Sequence, residues 1–200
     1  LRIGFKGIKE EAEREMEGAD QEKKDFLRAI IICCEAVKEF AHRYAEEAKR
    51  LAEAESDPKR KEELLEMARI CDKVPWNPAD TFWEAVQSVW FAHMLCMIAE
   101  SYPGPGLSHG RFDQYMFPYY DKDIKEGRLT RDQAKEILEC FWVKHNYAYD
   151  YFGDIGGKQG ITAGFGQLMT ISGLGPDGKD LTNELSWLLI DVIEEMNTLE

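Results

Sequence analysis

No stretch of the 200 residues is apolar over anything like the ~18 positions a membrane-spanning helix needs. Positive charge is also scarce: 25 Lys and Arg stand against 38 Asp and Glu, a formal charge of −13. Neutralising phosphates demands the opposite excess, so the composition excludes a nucleic-acid partner and a polybasic membrane anchor. No CxxC pair exists, and no Cys/His cluster has the spacing of zinc ligands. The five cysteines, at 33, 34, 71, 96 and 140, form no disulfide framework, which points to a reducing, cytoplasmic setting. Neither an initiator Met nor a signal-type segment opens the chain, and an amphipathic run stops at Glu200 without a terminator. The expectation is an interior piece of a longer protein.

What is present is globular: 44% hydrophobic and 32% charged residues, enough for one sizeable domain or two small ones. No internal repeat or low-complexity tract occurs. The first half reads as helix. A short charged segment over 9–17 ends near Gly18, and Asp20 opens a long helix to Ala54. Its apolar residues Phe26, Ile30, Cys33, Val37, Phe40, Tyr44, Ala48 and Leu51 recur every three or four positions and predict one core-facing stripe. Asp57 and Pro58 suit the N-cap and first position of a third helix, carrying Leu64, Leu65, Met67, Ala68 and Cys71 and stopping before Val74-Pro75. Thr81 and Glu84 form a capping box for a helix over 82–98 that is apolar on nearly all sides, the pattern of a segment buried in a larger protein. A Gly/Pro segment over 102–106 cannot be regular structure. Thr130 with Gln133 opens another helix, 149–166 reads as loop, 167–172 as a short strand, Asp177-Gly178 as a turn, and Thr182 as the cap of a last helix.

Several residues could carry chemistry. Cys33-Cys34-Glu35 places a thiol beside a carboxylate, but Cys33 falls on the apolar stripe, so packing is expected. Asp121, Asp123 and Glu126 read as a solvated face. Gly153, Gly156, Gly157 and Gly160 lack the Lys and Ser/Thr of a phosphate loop. His42 is expected at the surface and His93 as a buried, partnered imidazole. His145 is expected near a helix end, where a cation suits the dipole. His109, beside Ser108 and Arg111 in a loop, suits hydrogen bonding to a small polar substrate. No G-x-S-x-G elbow surrounds Ser108, which excludes a nucleophilic serine of that type. Arg111 and Asp113 are spaced to pair with each other or with nearby backbone.

Three motifs in order resemble the glycyl radical enzymes of the pyruvate formate-lyase type. The first is Val74-Pro75, Pro78-Ala79-x-Thr81-Phe82-x-Glu84-Ala85-x-Gln87-x-x-Trp90-Phe91. The second is Ser108-x-Gly110-Arg111-Phe112-Asp113-Gln114-Tyr115-Met116-x-Pro118-Tyr119-Tyr120, followed by Asp123 and Gly127-x-Leu129-Thr130. The third is Asp177-Gly178-x-Asp180-x-Thr182-Asn183-Glu184-Leu185-Ser186. The resemblance implies a mainly α fragment: helical shell plus the first strand or strands of a ten-stranded α/β barrel. Residues 1–72 would form an N-terminal helical region and 73–200 a helical region leading into the barrel, both within one larger pyruvate formate-lyase domain.

The resemblance further implies a radical lyase acting on a small organic substrate. A separate radical S-adenosylmethionine activating enzyme installs a glycyl radical, a cysteine relays it, and no cofactor or metal is bound directly. A cytoplasmic homodimer is implied for the full-length enzyme. Neither the family's G-C-x-E cysteine motif nor its R-V-x-G-Y glycine motif occurs here, so these residues are expected to be inactive alone. The S-x-G-R serine lies beside the substrate in several members, which makes Ser108, and secondarily His109, the expected substrate-binding residues. The 102–107 segment departs from the SNGH-type sequence of glycerol dehydratase-like members, which favours a decarboxylase or other lyase over a diol dehydratase or a formate C-acetyltransferase-like member. The rival from another class is a helical scaffold without catalysis.

Overall fold

The computed structural model describes residues 1–99, 107–150 and 168–197, over 146–150 as backbone only. Seven helices are formed among them: α1 (Gly4–Glu15), α2 (Gln21–Ala54), α3 (Pro58–Lys73), α4 (Phe82–Ala99), α5 (Phe112–Lys125), α6 (Arg131–Asp150) and α7 (Glu184–Met196). No strand is present among the described residues, only single bridges, Arg111 with Thr170 (parallel) and Leu174 with Asp180 (antiparallel). Of the strand expected over 167–172, the described residues 168–172 form one bridge, at Thr170. The expected mainly α character holds. The Gly/Pro segment 102–106 and the glycines of 153–160 lie outside the described residues.

The chain forms two compact units, Leu1–Asp80 with Gln87–Phe91, and Thr81–Val86 with Ala92–Glu200. In the first, α1 and α3 each pack on α2. Helix α1 begins earlier than the charge pattern suggests, because its cap is not local. Phe5 and Lys6 donate their N–H groups to the carbonyls of Pro75 and Trp76, both at 2.9 Å, satisfying donors that every helix start leaves unpaired. Gly4 permits this approach: its φ is +64°, and a Cβ there would lie 2.2 Å from the Trp76 oxygen.

Helix α2 is capped as expected, Asp20 Oδ1 accepting from Lys23 N–H at 2.8 Å. Its buried face differs from the expected stripe. Leu27, Cys34, Val37, Ala41, Ala45 and Ala52 are buried, while Phe26, Cys33, Tyr44 and Leu51 are exposed. The buried line is rotated by about one residue, some 100°. Alanines at 41, 45 and 52 admit a neighbouring helix closely, and the large aromatics flank the seam. Phe40, Tyr44 and Phe91 meet edge to face there, with ring centroids 5.2–6.2 Å apart. Helix α3 has the expected Asp57 cap, with Lys59 N–H 3.0 Å away.

In the second unit, Thr81 and Glu84 cap α4 reciprocally, each bond 3.3 Å. Helix α5 runs through Pro118, whose ring leaves no N–H for the ladder. Both α5 and α6 pack against α7. Thr130 and Gln133 form the expected box for α6. The cap of α7 is Asn183 and not Thr182: its side chain accepts from Leu185 and Ser186 N–H while Ser186 Oγ accepts from Asn183 N–H. Leu185, Leu188, Leu189 and Val192 bury the inner face of α7.

Candidate functional site

Residues 109–112, at the start of α5, are held by backbone pairing to distant residues. His109 N–H donates to Leu168 O (2.9 Å), Thr170 N–H to Gly110 O (2.9 Å) and Phe112 N–H to Thr170 O (3.1 Å). Gly110 takes φ +63°, which a side chain would resist. Tyr115 Oη donates to His109 O at 3.1 Å. Ser108 is exposed, and its Oγ accepts from Gly110 N–H at 3.0 Å. The loop therefore shows its serine hydroxyl outward on a fixed frame.

Arg111 and Asp113 do not pair with each other. Both grip the 172–174 turn. Arg111 donates to Ser172 O from Nη2 (2.8 Å) and Nε (3.2 Å), while Asp113 Oδ2 accepts from Ser172 N–H at 2.7 Å. Ser172 is held at φ +60°, a strained value for a serine, with partners on both sides of its peptide. Asp113, fully buried, also accepts from the Ser186 hydroxyl. One hydroxyl thus closes the cap of α7 and ties it to α5, which gives the Asn183–Ser186 motif a physical reason. Both residues hold structure, but through partners about 60 to 70 residues on and not through each other or the nearby backbone their spacing suggests.

Behind the loop, three imidazoles meet. His93 comes from α4, His109 from the loop and His145 from α6, and all three are buried. His109 Nε2 and His145 Nε2 are 2.6 Å apart, and His145 Nδ1 is 2.7 Å from Phe141 O. The carbonyl can only accept, so Nδ1 carries the proton and Nε2 of His145 presents a lone pair. The His93 ring lies on that of His109, centroids 4.1 Å apart and 32° from parallel. Burial, then the neighbouring imidazoles, hold His109 down to about 3; burial foremost holds His145 down to about 4. Both are neutral at pH 7. His145 is therefore not the helix-end cation that its position suggests, whereas His93 is the buried imidazole expected. Nothing local in the sequence announces this meeting, because the three histidines sit on separate elements.

Asp123 also departs from its expected place. Asp121 and Glu126 lie at the surface, but Asp123 is 3% exposed and accepts from Phe82 N–H at 2.7 Å. Its other oxygen takes Arg128 at 2.5 and 3.0 Å. It is a remote cap for α4. His42 is exposed as expected, 2.9 Å from Asp72. Lys49, bonded to both Asp72 and Glu46 and raised above the ordinary lysine range by those bonds, already supplies the positive charge there.

Comparison with known proteins gives concordant results. The family model described as pyruvate formate lyase-like matches residues 1–200. The isethionate sulfite-lyase of Oleidesulfovibrio alaskensis is 43% identical over 198 residues, covering 95% of this chain and 24% of that protein. A structure concerning 1,2-propanediol dehydration in Roseburia inulinivorans matches with a TM-score of 0.86 at 40% identity, over 98% of this chain and 24% of that one. A glycyl radical enzyme from Archaeoglobus fulgidus matches with a TM-score of 0.81 at 38% identity, over 97% and 26%. The chain spans about a quarter of the length of the curated relatives it matches.

Proposed function

The chain belongs to the pyruvate formate lyase-like family, and on that premise we propose that it is the part of a glycyl radical lyase that forms helical shell and one wall of the substrate chamber. The observation that carries this reading is the family's G-R-F-D segment locked onto Ser172 and Ser186, which fixes the frame of the Ser108 loop. A scaffold without enzyme ancestry does not account for the family match along all 200 residues.

In this reading residues 1–72 and 73–200 are parts of one larger domain, in which this chain supplies helical shell and the entry to the barrel, while the radical glycine and relay cysteine lie outside these residues. The radical supplies hydrogen-atom abstraction from a small organic substrate, after a separate radical S-adenosylmethionine enzyme has installed it. This chain's residues bind and orient. Ser108 Oγ, exposed and already accepting one hydrogen bond, donates its own proton to a polar substituent of the substrate. His109 belongs to the same wall and acts from beneath, because its Nε2 is engaged with His145. The rigid frame matters because a misplacement of about 1 Å costs orders of magnitude in rate. The full-length enzyme is read as a cytoplasmic homodimer.

The substrate is read as that of a lyase or decarboxylase and not a polyol, since Tyr102-Pro103-Gly104-Pro105-Gly106 replaces the polar SNGH-type sequence. The likeness to the diol-dehydration structure supports the second reading, a dehydratase. The test is anaerobic activation of the intact enzyme by its radical S-adenosylmethionine partner, followed by electron paramagnetic resonance and a substrate panel of isethionate, arylacetates and 1,2-diols. A glycyl radical signal with turnover of a sulfonate or an arylacetate is expected, and Ser108→Ala raises KM with kcat largely kept. Absence of the radical overturns the family chemistry for this protein. Turnover of diols alone replaces the lyase reading by the dehydratase one.

A further inference from the structure

We propose that His93, His109 and His145 form a mononuclear site for a divalent transition-metal ion of the zinc class, tying α4, the Ser108 loop and α6 together. The proposal is independent of the radical chemistry and stands on convergence. One ligand nitrogen from each histidine can be chosen so that all three lie within 4.8 Å of one another. Three imidazoles bound to one zinc at about 2.0–2.1 Å put their ring centroids about 5 Å apart. The centroids here are 4.1, 4.8 and 5.5 Å apart. The centroid separations are thus within about 1 Å of those of a coordinated set, and the His93 ring must turn out of its stack on His109 to bring its nitrogen to the ion.

The supporting groups have the chemistry a metal site needs. The Phe141 carbonyl, 2.7 Å from His145 Nδ1, fixes the tautomer that leaves Nε2 free of a proton, as outer partners of ligating histidines do. His109 Nε2 faces that lone pair at 2.6 Å, so in the metal-free state a proton lies between the two nitrogens. A metal ion replaces that bridging proton. His109 then shifts its proton to Nδ1, and the pair opens to about 3.3 Å, the separation of two tetrahedral zinc ligands. No net charge is released, because both rings begin and end neutral. Imidazole nitrogens without carboxylates suit zinc, cobalt, nickel or copper and disfavour magnesium or calcium. Trp142 Nε1 is the one buried side-chain donor without an acceptor among the described residues, and its ring centroid is 5.2 Å from that of His145.

What the ion does follows from where its ligands sit. It clamps His109, next to Ser108, onto two helices and so rigidifies the loop. The experiment is equilibrium titration of the intact, chelator-treated, unactivated protein with Zn²⁺ and, separately, Co²⁺. One equivalent is expected to bind, Co²⁺ giving the intense visible bands of a four-coordinate ion. His109→Gln and His145→Gln should each weaken binding by at least about 10- to 100-fold, while His42→Gln at the exposed surface should not. Absence of saturable one-equivalent binding, or binding that survives both histidine changes, overturns the proposal. If either variant does not fold, the wild-type Co²⁺ spectrum decides: weak six-coordinate bands or none sink the site. Because no radical is needed, failure here is separable from failure of the lyase reading.

Discussion

Replacing Asp123 by alanine should loosen the start of α4 from a residue far away in sequence. Asp123 Oδ2 accepts from Phe82 N–H at 2.7 Å inside the core, and Oδ1 accepts twice from Arg128. A hydrogen bond from a buried backbone N–H to a charged group contributes about 1.5–3 kcal/mol. The Arg128 pair adds less, about 0.5–1 kcal/mol, because the arginine side chain is 40% exposed and Glu126 remains beside it. The expected loss is about 2–4 kcal/mol, concentrated on the first turn of α4. Asp123→Asn, which keeps one acceptor oxygen for Phe82, should lose about half of that. The direct assay is amide hydrogen exchange by mass spectrometry in the intact protein, following a peptide that contains Phe82. If opening is local, protection there falls by about 30- to 1,000-fold in Asp123→Ala, at 1.4 kcal/mol per tenfold. A change of less than threefold with the fold retained would refute the argument, since it would mean that water or another acceptor replaces the carboxylate at no cost.

Three further outcomes are expected. Gly4→Ala should fray α1, because the added Cβ meets the Trp76 carbonyl at 2.2 Å and φ is +64°; amide exchange at 5 and 6 should accelerate, with a cost of about 2–4 kcal/mol, and unchanged exchange would refute it. Ser186→Ala should leave Asp113 Oδ2 with Ser172 N–H alone and open the cap of α7, lowering stability by about 1–3 kcal/mol in denaturant titration; Ser186→Thr should rescue most of it. Alkylation should separate the cysteines: Cys33 is exposed, whereas burial pushes the Cys71 thiol up to about 11. At pH 8 iodoacetamide should label Cys33 at least about 100-fold faster than Cys71, since burial both shields the Cys71 sulfur and disfavours its thiolate; equal rates would contradict the buried position.

Much of the helical content was readable because it rests on local signals. Asp20, Asp57, Thr81 with Glu84, and Thr130 with Gln133 each lie beside the backbone they cap. The reading weakened wherever the deciding partner lies elsewhere in the chain. The start of α1 depends on the Pro75 and Trp76 carbonyls, so its charge pattern set the boundary too late. The buried face of α2 was misread because alanines make its seam, and a hydrophobicity pattern ranks them below Phe26 and Tyr44. No helix was read over 112–125, where an interior proline removes an N–H from the ladder and weakens the local helix signal. At the site, the G-R-F-D and T-N-E-L-S segments were visible as a family resemblance, but their mutual grip through Asp113 and Ser186 is a tertiary fact. The histidines were each judged alone, as a surface, core or helix-end residue. Their convergence could be seen only in three dimensions.

The dependence of α1 on carbonyls at 75 and 76 has a consequence for synthesis. A ribosome delivers Phe5 and Lys6 well before Pro75 and Trp76, so the two amides emerge long before the oxygens that receive them. Until those oxygens arrive, the opening turn of α1 has only water for company, and it settles later than α2 although it is made before it. A nascent chain halted short of Pro75 would therefore carry α2 intact and α1 frayed at its leading edge.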